Sequence, residues 1–134
     1  QLNPPPGGHA MIGYVTLGTN DLSRATQFYD ALLGLVGAKR VMESDRFVAW
    51  GVSPEKPSLG VIKPYDGRPA TAGNGTMVAI AVDTPEKVAA LHRRALELGG
   101  QDEGAPGPRG DGGFYAAYFR DLDGNKLDCF CFKG

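Results

Sequence analysis

The sequence has little of what marks several large protein classes. It holds only two cysteines, Cys129 and Cys131, two positions apart in Leu127-Asp128-Cys129-Phe130-Cys131-Phe132. On a strand that spacing sends both to one face with parallel Cβ atoms, a poor geometry for a disulfide. A disulfide-stapled scaffold is excluded, and two buried thiols in a reducing, cytoplasmic compartment are expected. No apolar run approaches the length of about 20 residues that a membrane-spanning helix needs. Neither sign of charge dominates, the formal net charge being -1, and acids and bases are scattered. A nucleic-acid surface, which needs clustered Lys and Arg to displace counterions, is not expected, nor is an acidic interaction tail. The opening residues, QLNPPPGGH, lack the apolar core of a secretory signal. Residues 1–10 read as a disordered leader or tag remnant, and His9 is given no role.

What remains has ordinary globular character: 134 residues, 42% hydrophobic and 22% charged, enough for one domain over residues 11–134. Two helices are clearly signalled. Asp21 can cap the first by accepting from a free backbone N–H, and Leu22, Ala25, Tyr29, Leu32, Leu33 and Val36 form an apolar stripe behind it. Gly34 and Gly37 are natural stops. The second begins with Thr84 as cap and Pro85 at the first helical position. Val88, Leu91, Ala95 and Leu98 make its stripe, and Gly99-Gly100 ends it. His92 lies beside that stripe and reads as a solvated surface residue.

These helices match at an offset of 62, from Asp21 to Asp83, Tyr29 to Leu91 and Gly37 to Gly99. Strand-like runs surround both. In the first half they are Ile12 to Leu17, Lys39 to Met42, Phe47 to Trp50 and Leu59 to Lys63. In the second they are Thr76 to Val82, a weak segment near Gln101, Phe114 to Phe119 and Lys126 to Phe132. Asp123-Gly124 signals a hairpin turn between the last two, since glycine tolerates positive φ. The order is βαβββ followed by βαβββ, an α+β fold of two modules at about 11–66 and 75–134. Gly104 to Gly113, long and rich in Gly and Pro, reads as a loop able to act as a lid.

Three stretches carry a family resemblance. IGYVTLGTNDLSRATQFYDALLGL, from Ile12, resembles the opening strand and helix of the glyoxalase/bleomycin-resistance/dioxygenase (vicinal oxygen chelate) superfamily. Met77 to Gly100 resembles the second such pair. FRDLDGNKLD, Phe119 to Asp128, resembles the closing hairpin, with Leu122 where proline is usual. The resemblance implies half-barrel sheets, helices outside, around a cup for a small molecule, and usually a divalent metal held by the first and last strands of each module. It places the ligand positions on Tyr14, near Leu59 or Val61, on Met77 and on Asp128. Only Asp128 is a good oxygen donor, so no family-type metal site and no other cofactor are expected.

Other residues suggest how such a cup could work without metal. Asp128 shares a strand face with Lys126, Phe130 and Phe132. A carboxyl in partly apolar surroundings has a raised pKa and is the candidate catalytic base. Lys63, at a strand end, and Arg109, in the lid-like loop, are candidates for an anionic ligand group. Tyr14, Trp50, Met77 and Tyr115 are candidate walls for a flat or apolar ligand. Tyr115 and Tyr118 have opposite parity, so at most one faces inward. The resemblance implies either an enzyme of lyase or dioxygenase type with a degenerate metal site, or a non-catalytic binding protein that sequesters an aromatic or antibiotic-like ligand. It also implies a homodimer.

Overall fold

The computed structural model describes residues 10–132. The proposed leader lies outside them, apart from Ala10. The chain divides into two compact units, one ending at Ala70 and the other beginning at Thr71. Each holds one helix and one four-stranded mixed sheet.

The first unit runs β1 (Tyr14–Gly18), α1 (Leu22–Gly34), β2 (Lys39–Glu43), β3 (Phe47–Gly51) and β4 (Ser58–Ile62), with sheet order β1-β4-β3-β2. β1 and β4 are parallel; the other neighbours are antiparallel. The Asp21 side chain caps α1 by accepting from the Arg24 N–H at 3.0 Å, satisfying a donor with no partner inside the helix. Tyr29, Leu32 and Leu33 are buried on its inner face with Val48, Trp50, Leu59 and Val61 of the sheet. Strand alternation therefore gives one face of the sheet to the helix and leaves the other free.

Trp50 belongs to the helix face. It is 2% exposed, its ring centroid is 5.5 Å from that of Tyr29, and its indole N–H donates to Asp30 Oδ1 at 2.8 Å. Asp30 also receives two hydrogen bonds from the Arg40 guanidinium, at 3.0 and 2.6 Å. These hydrogen bonds, chiefly those of Arg40, hold the Asp30 carboxyl below the usual carboxylate pKa. One side chain of α1 thus ties the helix to β2 and β3. Trp50→Phe removes a part-buried bond and some packing, and is expected to lower unfolding free energy by about 1–2 kcal/mol in a urea titration.

The second unit runs β5 (Met77–Ala81), α2 (Pro85–Glu97), β6 (Gln101–Pro108), β7 (Phe114–Arg120) and β8 (Lys126–Phe132), in order β5-β8-β7-β6. Thr84 caps α2, accepting from the Lys87 N–H at 3.2 Å. β5 and β8 are parallel, and β8 is antiparallel to β7. The hairpin between β7 and β8 is held by Asp121, whose Oδ1 accepts from the N–H groups of Asp123 and Asn125, both at 2.9 Å. Gly124 supplies the positive φ of 85°.

Three sequence expectations change. The helix caps and first strands repeat at 63, Asp21 to Thr84 and Tyr14 to Met77, rather than 62. Gly104 to Pro108 is strand, not loop: β6 lies at the sheet edge, where proline removes no necessary ladder bond, and bulges interrupt its pairing at Asp102/Gly104 and Gly104/Gly107. His92 is buried at 6% exposure, with Nε2 3.0 Å from Asp102 Oδ1, so it links α2 to β6. Cys129 and Cys131 are free and buried. The Cys129 Sγ donates to the Val88 carbonyl of α2 at 3.4 Å, and burial pushes its thiol up to about 12.

Candidate functional site

Of the candidate site residues, Tyr14, Met77 and Asp128 lie on the helix-free faces of their sheets. In the second unit, Leu127 and Cys129 point toward α2, so Lys126, Asp128, Phe130 and Phe132 point away from it. Pairing places Asp128 opposite Ala79 of β5 and Tyr118 of β7. Phe114, Phe130 and Phe132 pack with one another at centroid separations of 5.4 to 6.0 Å. Met77 of β5 is 41% exposed and stands in register with Lys126.

Asp128 is the unusual group on this face. It is 2% exposed, and its Oδ1 has no hydrogen-bond partner. Burial pushes its carboxyl up to about 6, against the opposing attraction of Lys126. A buried acceptor without a donor is costly, and taking up a proton lowers that cost by removing the charge, which is why burial raises the carboxyl pKa.

Tyr118, not Tyr115, shares this face. Its ring has Arg109 on it at 5.4 Å and Lys126 at 5.4 Å, so two cations contact one aromatic ring. Tyr115 pairs with Cys131 and has the parity of the buried Ala117 and Phe119, the helix side. Nor does Arg109 ride on a lid. Its guanidinium donates to the carbonyls of Ala105 at 2.7 Å, Gly107 at 2.8 Å and Pro108 at 3.3 Å, which folds the side chain back on β6.

In the first unit, the helix-free face forms a mainly apolar cavity of about 470 Å³ lined by Tyr14, Thr16, Val41, Met42, Phe47, Ala49, Ser58 and Ile62. A register shift in β2 between Arg40 and Met42 brings the consecutive Val41 and Met42 to one wall. Tyr14 is 65% exposed and meets Phe47 edge-on at 6.3 Å. Trp50 takes no part, being on the other face. Lys63 lies just beyond β4, away from this cavity. Strand alternation could have separated these faces from sequence, but only once one anchor residue fixed the parity of each strand.

The register also locates the fourth ligand position named by the resemblance. Asp128 pairs with Ala79, two residues after Met77. The corresponding pair in the first unit is Thr16, two after Tyr14, with Gly60. The position is therefore Gly60, not Leu59 or Val61, which are buried on the helix side. A Cβ at Gly60 would stand 2.8 Å from Phe47 Cζ, so the phenyl ring occupies the space a carboxylate would need.

Residues 11–128 match the model of the Glyoxalase/Bleomycin resistance protein/Dioxygenase superfamily. The chain belongs to this superfamily. A glyoxalase/bleomycin resistance protein from Albidiferax ferrireducens T118 is 36% identical, with a TM-score of 0.83 over 92% of this chain and 100% of that one. A lactoylglutathione lyase from Agrobacterium tumefaciens, 20% identical, has a TM-score of 0.66 over 96% of this chain and 95% of that one. The fosfomycin resistance protein FosX from Listeria monocytogenes is 16% identical, with a TM-score of 0.69 over 92% and 94%. The latter two show the shared fold alone. No protein of curated function matches.

Superfamily members commonly hold a divalent metal, but the donors here do not fit one. The four positions are Tyr14, Gly60, Met77 and Asp128: a phenol, no side chain, a thioether and one carboxylate. Such ions bind through several hard oxygen or imidazole donors. Among the described residues no group of three or more His, Cys, Asp and Glu could hold a metal. Nor is any helix among them long and apolar enough to cross a membrane.

Proposed function

We propose that this superfamily member binds a small, largely aromatic molecule on the helix-free face of its second sheet without a metal, and that Asp128 is the polar anchor. The buried, unpartnered Oδ1 of Asp128 carries this reading. It is set among Phe130, Tyr118 and Met77, a pattern of apolar walls with a directing polar group. The ligand class is an aromatic or apolar compound bearing an N–H or O–H donor. Binding and sequestration require nothing more, and the protein acts in the cytoplasm as a homodimer.

A second reading follows from the carboxyl pKa of about 6. Near neutral pH such a group can accept a proton from a bound substrate and return it, the behaviour of a general base. In that case the protein is an enzyme of proton transfer.

A thermal-shift panel of aromatic amines, phenols and aromatic carboxylates tests the binding reading. A ligand that favours the folded state raises the melting temperature by mass action. Donors such as amines and phenols are expected to stabilise the protein, and Asp128→Asn to weaken the best of them by about tenfold or more, the scale of one charge-assisted hydrogen bond. A panel without any shift would remove the proposal. Ligand turnover that is lost in Asp128→Asn while binding persists would select the second reading. Equilibration with Zn, Ni, Mn or Fe, followed by desalting and elemental analysis, is expected to leave no stoichiometric metal.

A further inference from the structure

We propose that the first unit carries a separate binding site for a phosphate group, built from Arg46, Lys63 and Arg68. The topology assembles it. Arg46 immediately precedes β3 and Lys63 immediately follows β4, and these strands are antiparallel neighbours. The Lys63 N–H donates to the Arg46 carbonyl at 2.9 Å, which sets the two residues side by side. The loop beyond Lys63 returns through Arg68. Together they border a polar cavity of about 350 Å³.

The cavity walls are held in place. The Arg46 Nη2 donates to the carbonyls of Lys63 at 3.1 Å and Pro64 at 2.9 Å. At the loop's far end, the Ala70 N–H donates to Asn20 Oδ1 at 2.7 Å. Between these clamps, Pro64 and Pro69 restrict the backbone, and Gly67, at φ 77°, closes a turn through its N–H to the Pro64 carbonyl at 3.1 Å. Asp66 is engaged locally, its Oδ1 accepting from the Arg68 N–H at 2.9 Å.

No carboxylate among the described residues lies within ion-pair distance of Arg46, Lys63 or Arg68. Elsewhere on this unit Arg40 has two carboxylate partners. Three like charges around one cavity repel one another, and a bound anion reverses that cost. Three cationic heads from three backbone positions suit the several peripheral oxygens of a tetrahedral phosphate, with the arginine forks offering paired donors. A planar carboxylate would engage only one such fork well. The ligand is a small phosphate ester or phosphate itself.

The test is an NMR titration of the ¹⁵N-labelled full chain with inorganic phosphate and with phenyl phosphate, against acetate and chloride at equal ionic strength so that general screening is constant. Saturable shifts are expected at the amides of Arg46, Lys63, Gly67 and Arg68, with half-saturation at about 1–10 mM phosphate. Acetate should bind more weakly. Lys63→Gln and Arg68→Gln, whose side chains make no described contact, should each weaken phosphate by about threefold or more. Arg46→Lys, which keeps the charge and loses the fork, should also weaken it. Saturation by phenyl phosphate but not by phosphate would assign the site to esters, a narrower form of the same proposal. Linear shifts spread over other cationic residues, equal effects of acetate and phosphate, or unchanged binding in the Lys63 and Arg68 variants would overturn it. Asp128→Asn should leave these shifts intact, which separates this site from the one on the second sheet.

Discussion

Asp128→Asn is expected to make the protein more stable at pH 8 by about 2 kcal/mol, and to leave its stability at pH 4 nearly unchanged. The wild-type carboxyl, with a pKa near 6 when folded, titrates near 3.9 when unfolded. Between those values the folded chain holds a proton that the unfolded chain has lost. Stability therefore falls as pH rises through that window, and the loss is complete above about pH 7. At about 1.4 kcal/mol per pH unit, the two-unit interval sets a ceiling of roughly 3 kcal/mol. The buried amide of Asn brings N–H donors that need partners of their own, which brings the expected gain below that ceiling. Urea titrations of both proteins at pH 4, 6 and 8 measure the difference directly. Equal slopes of stability against pH in the two proteins would show that Asp128 is not strained by burial, and the binding proposal would lose its physical basis.

Gly100→Ala is expected to cost about 3 kcal/mol or more, larger than an ordinary surface change. The residue joins α2 to β6. Its N–H donates to the Ala95 carbonyl at 2.8 Å, and a Cβ there would stand 2.7 Å from the Arg120 carbonyl oxygen and 2.9 Å from that of Ala95. Both are backbone atoms, so no side-chain rotation relieves the clash. Either the end of α2 or the pairing of Gln101 with Arg120 must shift. Gly34→Ala is the control. It lies at the end of α1, and an added Cβ meets nothing within 4 Å. Removing glycine there should stabilise by up to about 1 kcal/mol. A loss of similar size in both variants would mean that conformational freedom, not space, governs Gly100.

The helices were legible because local chemistry dictates them. Asp21, Thr84 and Pro85 occupy the caps and first turn that their side chains suit, and the apolar stripes fix which face is buried. β6 was legible only as a weak segment near Gln101, because Gly104, Pro106 and Pro108 suppress a strand signal that only an edge position tolerates. The candidate site was half legible. Placing Asp128 on a face with Lys126, Phe130 and Phe132 needed only the two-residue period of a strand. That period cannot say which face meets a helix, so Trp50 and Tyr115 fell on the wrong side. His92 was missed for a related reason: its hydrogen-bond partner, Asp102, lies on a strand of which the composition showed only the start. The Arg46, Lys63 and Arg68 grouping depends on β3 and β4 being neighbours, a long-range fact that no local pattern encodes.

The strand order of the second sheet bears on synthesis and cleavage. β8 comes last in sequence, yet it sits between β5 and β7. Until the ribosome has released residues 126–132, β5 has no strand to pair with, whereas the first sheet is complete once β4 emerges. The second module is therefore the later to mature, and a chain cut before Lys126 would lose the inner strand of that sheet together with Asp128. A cleavage near Gly124 that released β8 would leave β5 and β7 without their shared neighbour.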